Sequence, residues 1–459
     1  MIKILNRKKL IENGETSVIR RGRELSLECL EQAVNAVEPN RLIKEKMRIM
    51  NDQLLVEGCT FDLAKFKHVY VLGGGKAGAK MAQAVEEILG KYVTAGVVNV
   101  PYGTSQKTNV IKFNEASHPV PDHAGVAGTL RIMALAKQAD EDDLVICLIS
   151  GGGSSLMPLP RDDISLKDKQ ALTNELLKSG AEITEINVVR KHLSAFKGGW
   201  LAKETYPATL LNFVLSDVMG DPLDSIASGP TVPDASTFSD ARKILEKYDL
   251  WLKVPVSIRK VLLEGERGLL EETPKPGDRV FDNVCNFVIG NNRTTSLAAV
   301  DFLGSKGLNT LLLSGMLVGE AKVAGEALAK IVSEGFVCTD TSGSLGVVAG
   351  GETTVMVSGK GVGGRNQELA LSVALNLNEC GDCVVACFST DGVDGPTDAA
   401  GAIIDGSTLK RAKRLGLDAE KFIANNDSYS FFLKLGDLIY TGATGTNVND
   451  LSVILALKD

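Results

Sequence analysis

The sequence predicts an α/β protein with parallel sheets, built as two domains. Three observations carry that expectation. Helical stretches alternate with short β-rich runs along the chain, the order that βαβ units require. Strand candidates such as "VYVLG", "DDLVICLIS" and "ATLLNFVLSD" are near-continuous apolar runs, as expected of strands covered on both faces. The 459 residues favour two domains over one.

The elements follow in order. Residues 23–56 read as helices, "ELSLECLEQAVNAV" and then, after a break at Pro39, "RLIKEKMRIMNDQLLV". The first strong strand is "KHVYVLG", followed by a helix, "AKMAQAVEEILG", and a strand, "AGVVNV". "DDLVICLIS" and "ATLLNFVLSD" come next, with helical segments around them. Residues 264–279, "EGERGLLEETPKPGDR", are charged and contain Pro274, Pro276 and Gly277, so they read as a linker. The expected domains are therefore 1–265 and 280–459. The second half resumes the same pattern with "NFVIGNN", "LNTLLLSG", "GVVAGGETTVMVSG" and "VVACFSTDGVDGP". It closes on "DLIYTGATGTNVNDLSVILAL", whose last strand could pack back on the first domain.

Composition excludes several classes of function. The chain is 44% apolar and 23% charged, an ordinary globular balance, with net charge −7. It carries no polybasic run or aromatic–basic alternation, so nucleic acid is not an expected partner. No apolar run reaches the ~18 residues of a membrane span. The start, "MIKILNRKKLIENGETSVIRR", lacks an apolar core and does not read as a signal peptide. Cys147 and Cys387 sit inside apolar strands, as small buried hydrophobes do in a reducing compartment. Cys380 and Cys383 form one C-x-x-C with no second pair nearby, which reads as a loop with two thiols rather than a zinc site. A cytoplasmic location is expected.

The stretch "VYVLGGGKAGAK" fits G-x-G-x-x-G at Gly73, Gly75 and Gly78. A dinucleotide fold also needs an acid at the end of the second strand, ≈20 residues on, to bind the ribose hydroxyls. That strand offers Asn99 and Tyr102, and no acid. The Walker A motif fails as well, because Lys76 is followed by Ala77 rather than Ser or Thr. A glycine loop entering a helix still suits an anion, and Lys76 adds a full positive charge there.

Ligands of open α/β sheets bind outside the carboxyl ends of the strands. Three such ends carry chemistry here: Gly74, Gly75 and Lys76; Gly152, Gly153, Ser154 and Ser155; and Asp217 with Asp221, Asp224 lying beyond. Asp217 and Asp221 suit a hard cation, which takes one or two carboxylates plus phosphate oxygens. In "INVVRKHLSAFKGGW", Arg190, Ser194 and Lys197 share one face at helical spacing. His192 is the only histidine near a motif and reads as structural. Arg365 enters a helix from a glycine-rich loop, a position suited to clamping a phosphoryl group. Asp391 and Asp394 follow a strand directly, and "TGATGTNVND" supplies Thr446, Asn447 and Asn449.

Eight motifs in order, "GGGKAG", "SGGGSSL", "NVVRKHLSAFKGG", "LSDVMGDPLDSIASGPT", "GGETTV", "GGRNQELAL", "STDGVDGPTDAAGA" and "TGTNVND", resemble the class II glycerate kinase family from about residue 20 to the C-terminus. The resemblance implies an N-terminal Rossmann-like αβα sandwich, a C-terminal MOFRL domain and a cleft between them. It implies ATP-dependent phosphorylation of D-glycerate at the 2-hydroxyl, with Mg²⁺ or another divalent cation. The family's active-site lysine falls on Lys76, its arginine on Arg365 and its aspartates on Asp217, Asp221 and Asp391. On this reading Gly74, Gly75, Gly152, Gly153, Ser154, Ser155 and Asn447 serve ATP. Lys76, Ser154, Arg190 and Arg365 serve glycerate, and Asp217 and Asp221 serve the metal. Partners are the two small molecules, without nucleic acid or membrane, and a homo-oligomer is compatible. The rival reading is a hydroxypyruvate reductase using NAD(P)H, against which the incomplete dinucleotide fingerprint counts.

Overall fold

In a computed structural model of the chain, the structure describes residues 2–161, 163–338, 343–377 and 382–458. They form two compact units, one of Pro39–Ile289 and one joining Met1–Glu38 to Gly290–Asp459. The boundaries thus differ from those expected at 265 and 280. Thr273, inside the supposed linker, is buried and donates its hydroxyl to Asp234 at 3.0 Å. The charge and prolines of that stretch mark a surface segment of the first unit rather than its end.

The unit Pro39–Ile289 begins with helix Pro39–Lys46 and an antiparallel meander, β1 (Met47–Met50), β2 (Gln53–Val56) and β3 (Cys59–Asp62). The sequence reading expects helix through residue 56. The turns decide otherwise: Asn51, Asp52, Glu57 and Gly58 all have positive φ, of 52°, 59°, 44° and 90°. Two-residue hairpins of type I′ require that pair of conformations. Leu54 and Val56 then point inward together, at the strand period of two.

The main sheet of this unit contains β4 (His68–Gly74), β5 (Ala95–Pro101), β6 (Ile111–Ala116), β7 (Asp143–Ser150), β8 (Thr209–Leu215) and β9 (Val284–Gly290). Their order is β6-β5-β4-β7-β8-β9, and the first five pair in parallel. Renumbered within the sheet this is 3-2-1-4-5-6, the order of doubly wound nucleotide-binding folds. The order reverses between β4 and β7, so their carboxyl ends, at Gly74 and Ser150, flank the switch point where such folds bind ligands. Every residue of β7 is buried. Its Val145, Cys147 and Ile149 pack with Tyr70, Leu72, Leu210 and Val214. A second core lies among helices Leu166–Lys178, Ile183–His192, Phe238–Lys247 and Val256–Glu266, around Leu176, Val189, Phe238 and Leu262.

The other unit has a sheet of β10 (Asn309–Glu320), β11 (Leu345–Thr354), β12 (Cys383–Ser389), β13 (Gly401–Asp405), β14 (Leu438–Ile439) and β15 (Asp450–Ala456). The order is β10-β11-β15-β12-β13-β14. β10 pairs parallel to β11, and the remaining pairings are antiparallel. A continuous apolar run reports that both faces of a strand are covered; it does not report strand direction. Both faces are covered here: Val385, Cys387 and Ile454 pack on one side with Leu369 and Phe432, and Val384, Phe388 and Val453 on the other with Leu27, Leu30 and Leu303. The last strand, β15, is inserted between β11 and β12 at the centre of this sheet, not on the first unit.

Helix Ser17–Ala36 explains why the N-terminus belongs here. It lays Leu27, Leu30 and Val34 on the sheet, and its Arg23 is fully buried. Arg23 donates to Asp405 at 2.6 Å and to Asp437 at 2.9 Å, both without side-chain exposure. Cys147 and Cys387 are buried as expected, whereas Cys383, expected in a loop, is the buried first residue of β12; Cys380 lies outside the described residues.

Candidate active site

The glycine loop after β4 is folded onto β7. Gly75 has φ 146°, and a Cβ there would lie 2.1 Å from the Ser150 Oγ. The same Oγ accepts the Ala77 amide at 3.0 Å. A Cβ on Gly74 would meet the Asn99 carbonyl at 2.7 Å. In a dinucleotide turn the second glycine lets the backbone approach the pyrophosphate; here the space is filled by Ser150. Asn99, at the ribose position, is fully buried and donates to the Leu156 and Gly125 carbonyls at 2.8 and 3.2 Å. It ties strand to loop, and Tyr102 instead donates to Asp122 at 2.8 Å.

The loop after β7 lies beside Lys76. The Lys76 amide donates to the Gly151 carbonyl at 2.8 Å. Gly152 is left-handed, with φ 79°, and a Cβ on it would meet the His118 ring at 2.8 Å and the Lys76 Cγ at 3.3 Å. Gly153 packs on Ala227, where a Cβ would come within 2.9 Å. Ser155 Oγ donates to the Gly152 carbonyl at 3.0 Å. Ser154 and Ser228 share a hydroxyl hydrogen bond at 2.8 Å, and Ser228 donates to Asn187 at 3.2 Å. Ala227 and Ser228 both have positive φ, 50° and 61°. Left-handed non-glycine residues store strain and cluster at functional sites.

Beyond this loop opens a cavity of about 390 Å³, on whose walls lie His118, Ser154, Arg190, Lys169 and Lys197. Lys197 is 2% exposed and donates to the Ser154 and Met157 carbonyls at 2.8 and 3.1 Å. Burial, with Lys169 and Arg190 adding repulsion, holds it well below the usual lysine range. Burial and the Arg190 charge bring Lys169 down to about 7. Arg190 is lowered by burial.

Helix Ile183–His192 ends before Ser194, so Arg190, Ser194 and Lys197 do not share a helical face. Arg190 and Lys197 nevertheless line one cavity, because the chain turns back after Leu193. His192 is structural: it is buried, with ring nitrogens 2.8 Å from the Val188 carbonyl and 3.1 Å from Glu272. The histidine next to a motif is His118, which the sequence reading passed over.

Asp217 and Asp221 follow β8, the neighbour of β7. Both are partly exposed, and the Asp221 amide closes a turn onto the Val218 carbonyl at 3.1 Å. Asp224 is instead 3.6 Å from the Lys191 ammonium. No group of three metal-ligating side chains gathers among the described residues.

In the other unit Arg365 opens helix Arg365–Asn376 and is held from two sides. Its Nε and Nη2 donate to Asp450 at 2.6 and 3.0 Å, and its Nη1 lies 2.7 Å from Glu352. Burial works to lower its pKa, but Asp450, Glu352 and Asp394 outweigh burial and hold it above the ordinary arginine value. Burial in turn presses the Asp450 carboxyl upward, against the Arg365 bonds. Asn449 donates to Glu352 at 2.6 Å, and Asn447 accepts the Asn449 amide at 3.3 Å. Asp394 is buried and accepts the amides of Asn366 and Gln367 at 3.0 and 2.9 Å, so it caps the Arg365 helix. Asp391 accepts from Ser389 and from the Val393 amide, both at 3.0 Å, at the carboxyl end of β12. Arg365, Glu352 and Glu368 line a hollow of about 550 Å³.

Two family models match the chain, the first reaching into the N-terminal helix that packs in the other unit. The DUF4147 domain of unknown function matches residues 25–263, and the MOFRL family matches residues 345–450. A glycerate 2-kinase from Pyrococcus horikoshii is 44% identical over 95% of this chain and 97% of its own length. The chain belongs to the glycerate 2-kinase family. The crystal structure of a glycerate kinase from Thermotoga maritima matches with a TM-score of 0.83 and 42% identity, over 95% of this chain and 99% of that one. A relative from Agrobacterium vitis, named a putative hydroxypyruvate reductase, is 41% identical over 84% of this chain and 86% of its own length.

Proposed function

We propose that this protein transfers a phosphoryl group from ATP to the 2-hydroxyl of D-glycerate, giving 2-phosphoglycerate and ADP. The near full-length likeness to a glycerate 2-kinase carries the reading, and the loop geometry supports it. Phosphoryl transfer needs positioned cations more than covalent chemistry. Lys76 supplies one beside the left-handed Gly152 turn, and Arg365 supplies another on a pre-oriented guanidinium. These two neutralise the transferring group or the glycerate carboxylate. Ser154, Ser155, Gly152 and Gly153 serve ATP, with Asn447 in the other unit; Gly74 and Gly75, expected to share that role, are folded against Asn99 and Ser150 instead. Asp391 or Asp217 takes the hydroxyl proton. ATP chemistry of this kind uses a divalent cation to screen the phosphates; Asp217 and Asp221 would hold it.

The reductase reading loses support at two places. Gly75 has Ser150 where a pyrophosphate would approach, and Asn99 is buried in carbonyl contacts instead of facing a ribose. The test is direct: the purified protein is given ATP with glycerate, and separately NADH or NADPH with hydroxypyruvate. ADP release with glycerate and no nucleotide oxidation supports the kinase. Oxidation of NADH or NADPH without ADP release overturns it. No helix among the described residues is long and apolar enough to cross a membrane.

A further inference from the structure

The cavity behind the Gly151–Ser155 loop has a composition that the roles above do not use. Three cationic side chains reach its wall from three places: Lys169 from helix Leu166–Lys178, Arg190 from helix Ile183–His192, and Lys197 from the turn beyond. None of the described residues lining it is a carboxylate. Lys169 is 8% exposed and donates to the Pro158 and Leu159 carbonyls at 3.1 and 3.4 Å; Lys197 is likewise bonded only to carbonyls. Carbonyl dipoles satisfy the donors but leave the charges uncompensated, and buried charge without a counter-charge is costly. The Arg190 guanidinium makes no hydrogen bond or ion pair with any described residue, and burial alone accounts for its lowered pKa. It is a planar donor fork of the kind that recognises phosphate oxygens.

Other lining residues are apolar: Pro119, Val120, Pro121 and Leu177, with the amides of Gln170 and Asn174 near. A volume of about 390 Å³ falls in the range of ~300–1,000 Å³ that takes ligands far larger than a three-carbon acid. Charge points the same way. A monocarboxylate brings a single negative charge to three cations, whereas a nucleoside polyphosphate brings several. Ser154 and His118 stand where the cavity meets the loop beside Lys76, so a phosphate chain held there would run toward the transfer site.

We infer that this cavity is the seat of the nucleotide, with the phosphates on Arg190, Lys197, Lys169 and Ser154 and the nucleoside against the Pro119–Pro121 wall and helix Leu166–Lys178. The inference rests on the kinase reading and reassigns Arg190 from glycerate to ATP. The low Lys169 value is what a lysine waiting for an anion shows; ADP would draw a proton onto it.

The experiment is calorimetric titration of ADP into the full chain without glycerate, followed by separate KM values for ATP and glycerate. Arg190→Gln is expected to weaken ADP at least tenfold and to raise the ATP KM while leaving the glycerate KM near wild type. Thr173→Trp, which fills the cavity from its rim, is expected to do the same and decides the matter if Arg190→Gln does not fold. Titration near pH 7 in two buffers of different ionisation enthalpy is expected to show proton uptake, reduced in Lys169→Met; uptake unchanged in that variant would remove Lys169 from the phosphate site. Unchanged ADP affinity in both cavity variants, with a raised glycerate KM, would overturn the inference and leave the kinase standing. Lost ADP affinity in the variants of a protein that phosphorylates nothing would sustain the cavity assignment and sink the kinase.

Discussion

Gly75→Ala separates a ligand-facing turn from one folded on its own sheet. The new methyl would lie 2.1 Å from the Ser150 Oγ and 2.6 Å from the Ser150 carbonyl oxygen. At φ 146° the backbone is in a region essentially restricted to glycine, which costs an alanine about 1–3 kcal/mol. Moving the Ser150 hydroxyl aside also removes the acceptor of the buried Ala77 amide, worth about 1–3 kcal/mol when left unsatisfied. The carbonyl cannot rotate away without breaking the register of β4 on β7, so the sum is about 2–6 kcal/mol. Urea unfolding at constant m-value reads it. Ser150→Ala alone loses only the hydrogen-bond acceptor and should cost about 1–3 kcal/mol. A Gly75→Ala protein within about 1 kcal/mol of wild type, impaired only in ligand binding, would refute this packing account and restore an open anion turn.

Three further outcomes follow from the same structure. Lys76→Ala and Arg365→Ala should each lower kcat by about 10²–10³ without a comparable loss of fold, read by steady-state kinetics beside thermal melts; wild-type turnover in either removes that residue from the mechanism. Arg23→Met leaves Asp405 and Asp437 buried with Arg411 as their remaining cation, 2.5 Å from Asp437, and should destabilise the unit by about 3–5 kcal/mol in urea titration. Glu272 gives a pH signature: burial works to raise it, but His192, the Phe238 amide and Lys275 overcome burial and bring it to about 2. A lowered carboxyl contributes stability that is full above the unfolded value near 4.5 and is lost as pH falls toward 2. Stability of Glu272→Gln should therefore fall less steeply than wild type across that window; parallel curves would contradict the contact.

Much of the first unit was legible because its signals are local. Apolar runs ending in glycine, serine or aspartate marked β4, β7 and β8, and the parallel order brought their ends side by side. The missing ribose acid was legible as well, although its structural counterpart, Asn99 bonded to Leu156, was not. What escaped depended on partners distant in sequence. Lys169 sits in "LKDKQALTNELLK", an amphipathic pattern that reads as a solvated helix, and only the packing of that helix on the Pro158 segment buries it. Arg365 was picked out, but its clamp, Asp450 and Glu352, comes from β15 and β11, joined by strand insertion. Asp394 stands beside the candidate Asp391 with no role readable from the sequence, because its partners are the distant helix amides of Asn366 and Gln367. The antiparallel second sheet was hidden for the reason that burial, not direction, writes the apolar run. The N-terminal helix joined the second unit through Arg23, whose counter-charges lie more than three hundred residues away.

The most direct measurement follows ATP and D-glycerate through enolase in a coupled assay without phosphoglycerate mutase. The account predicts signal from the first turnover, because 2-phosphoglycerate is formed directly. Signal that appears only after mutase is added would place the phosphoryl group on the 3-hydroxyl and contradict the 2-kinase assignment.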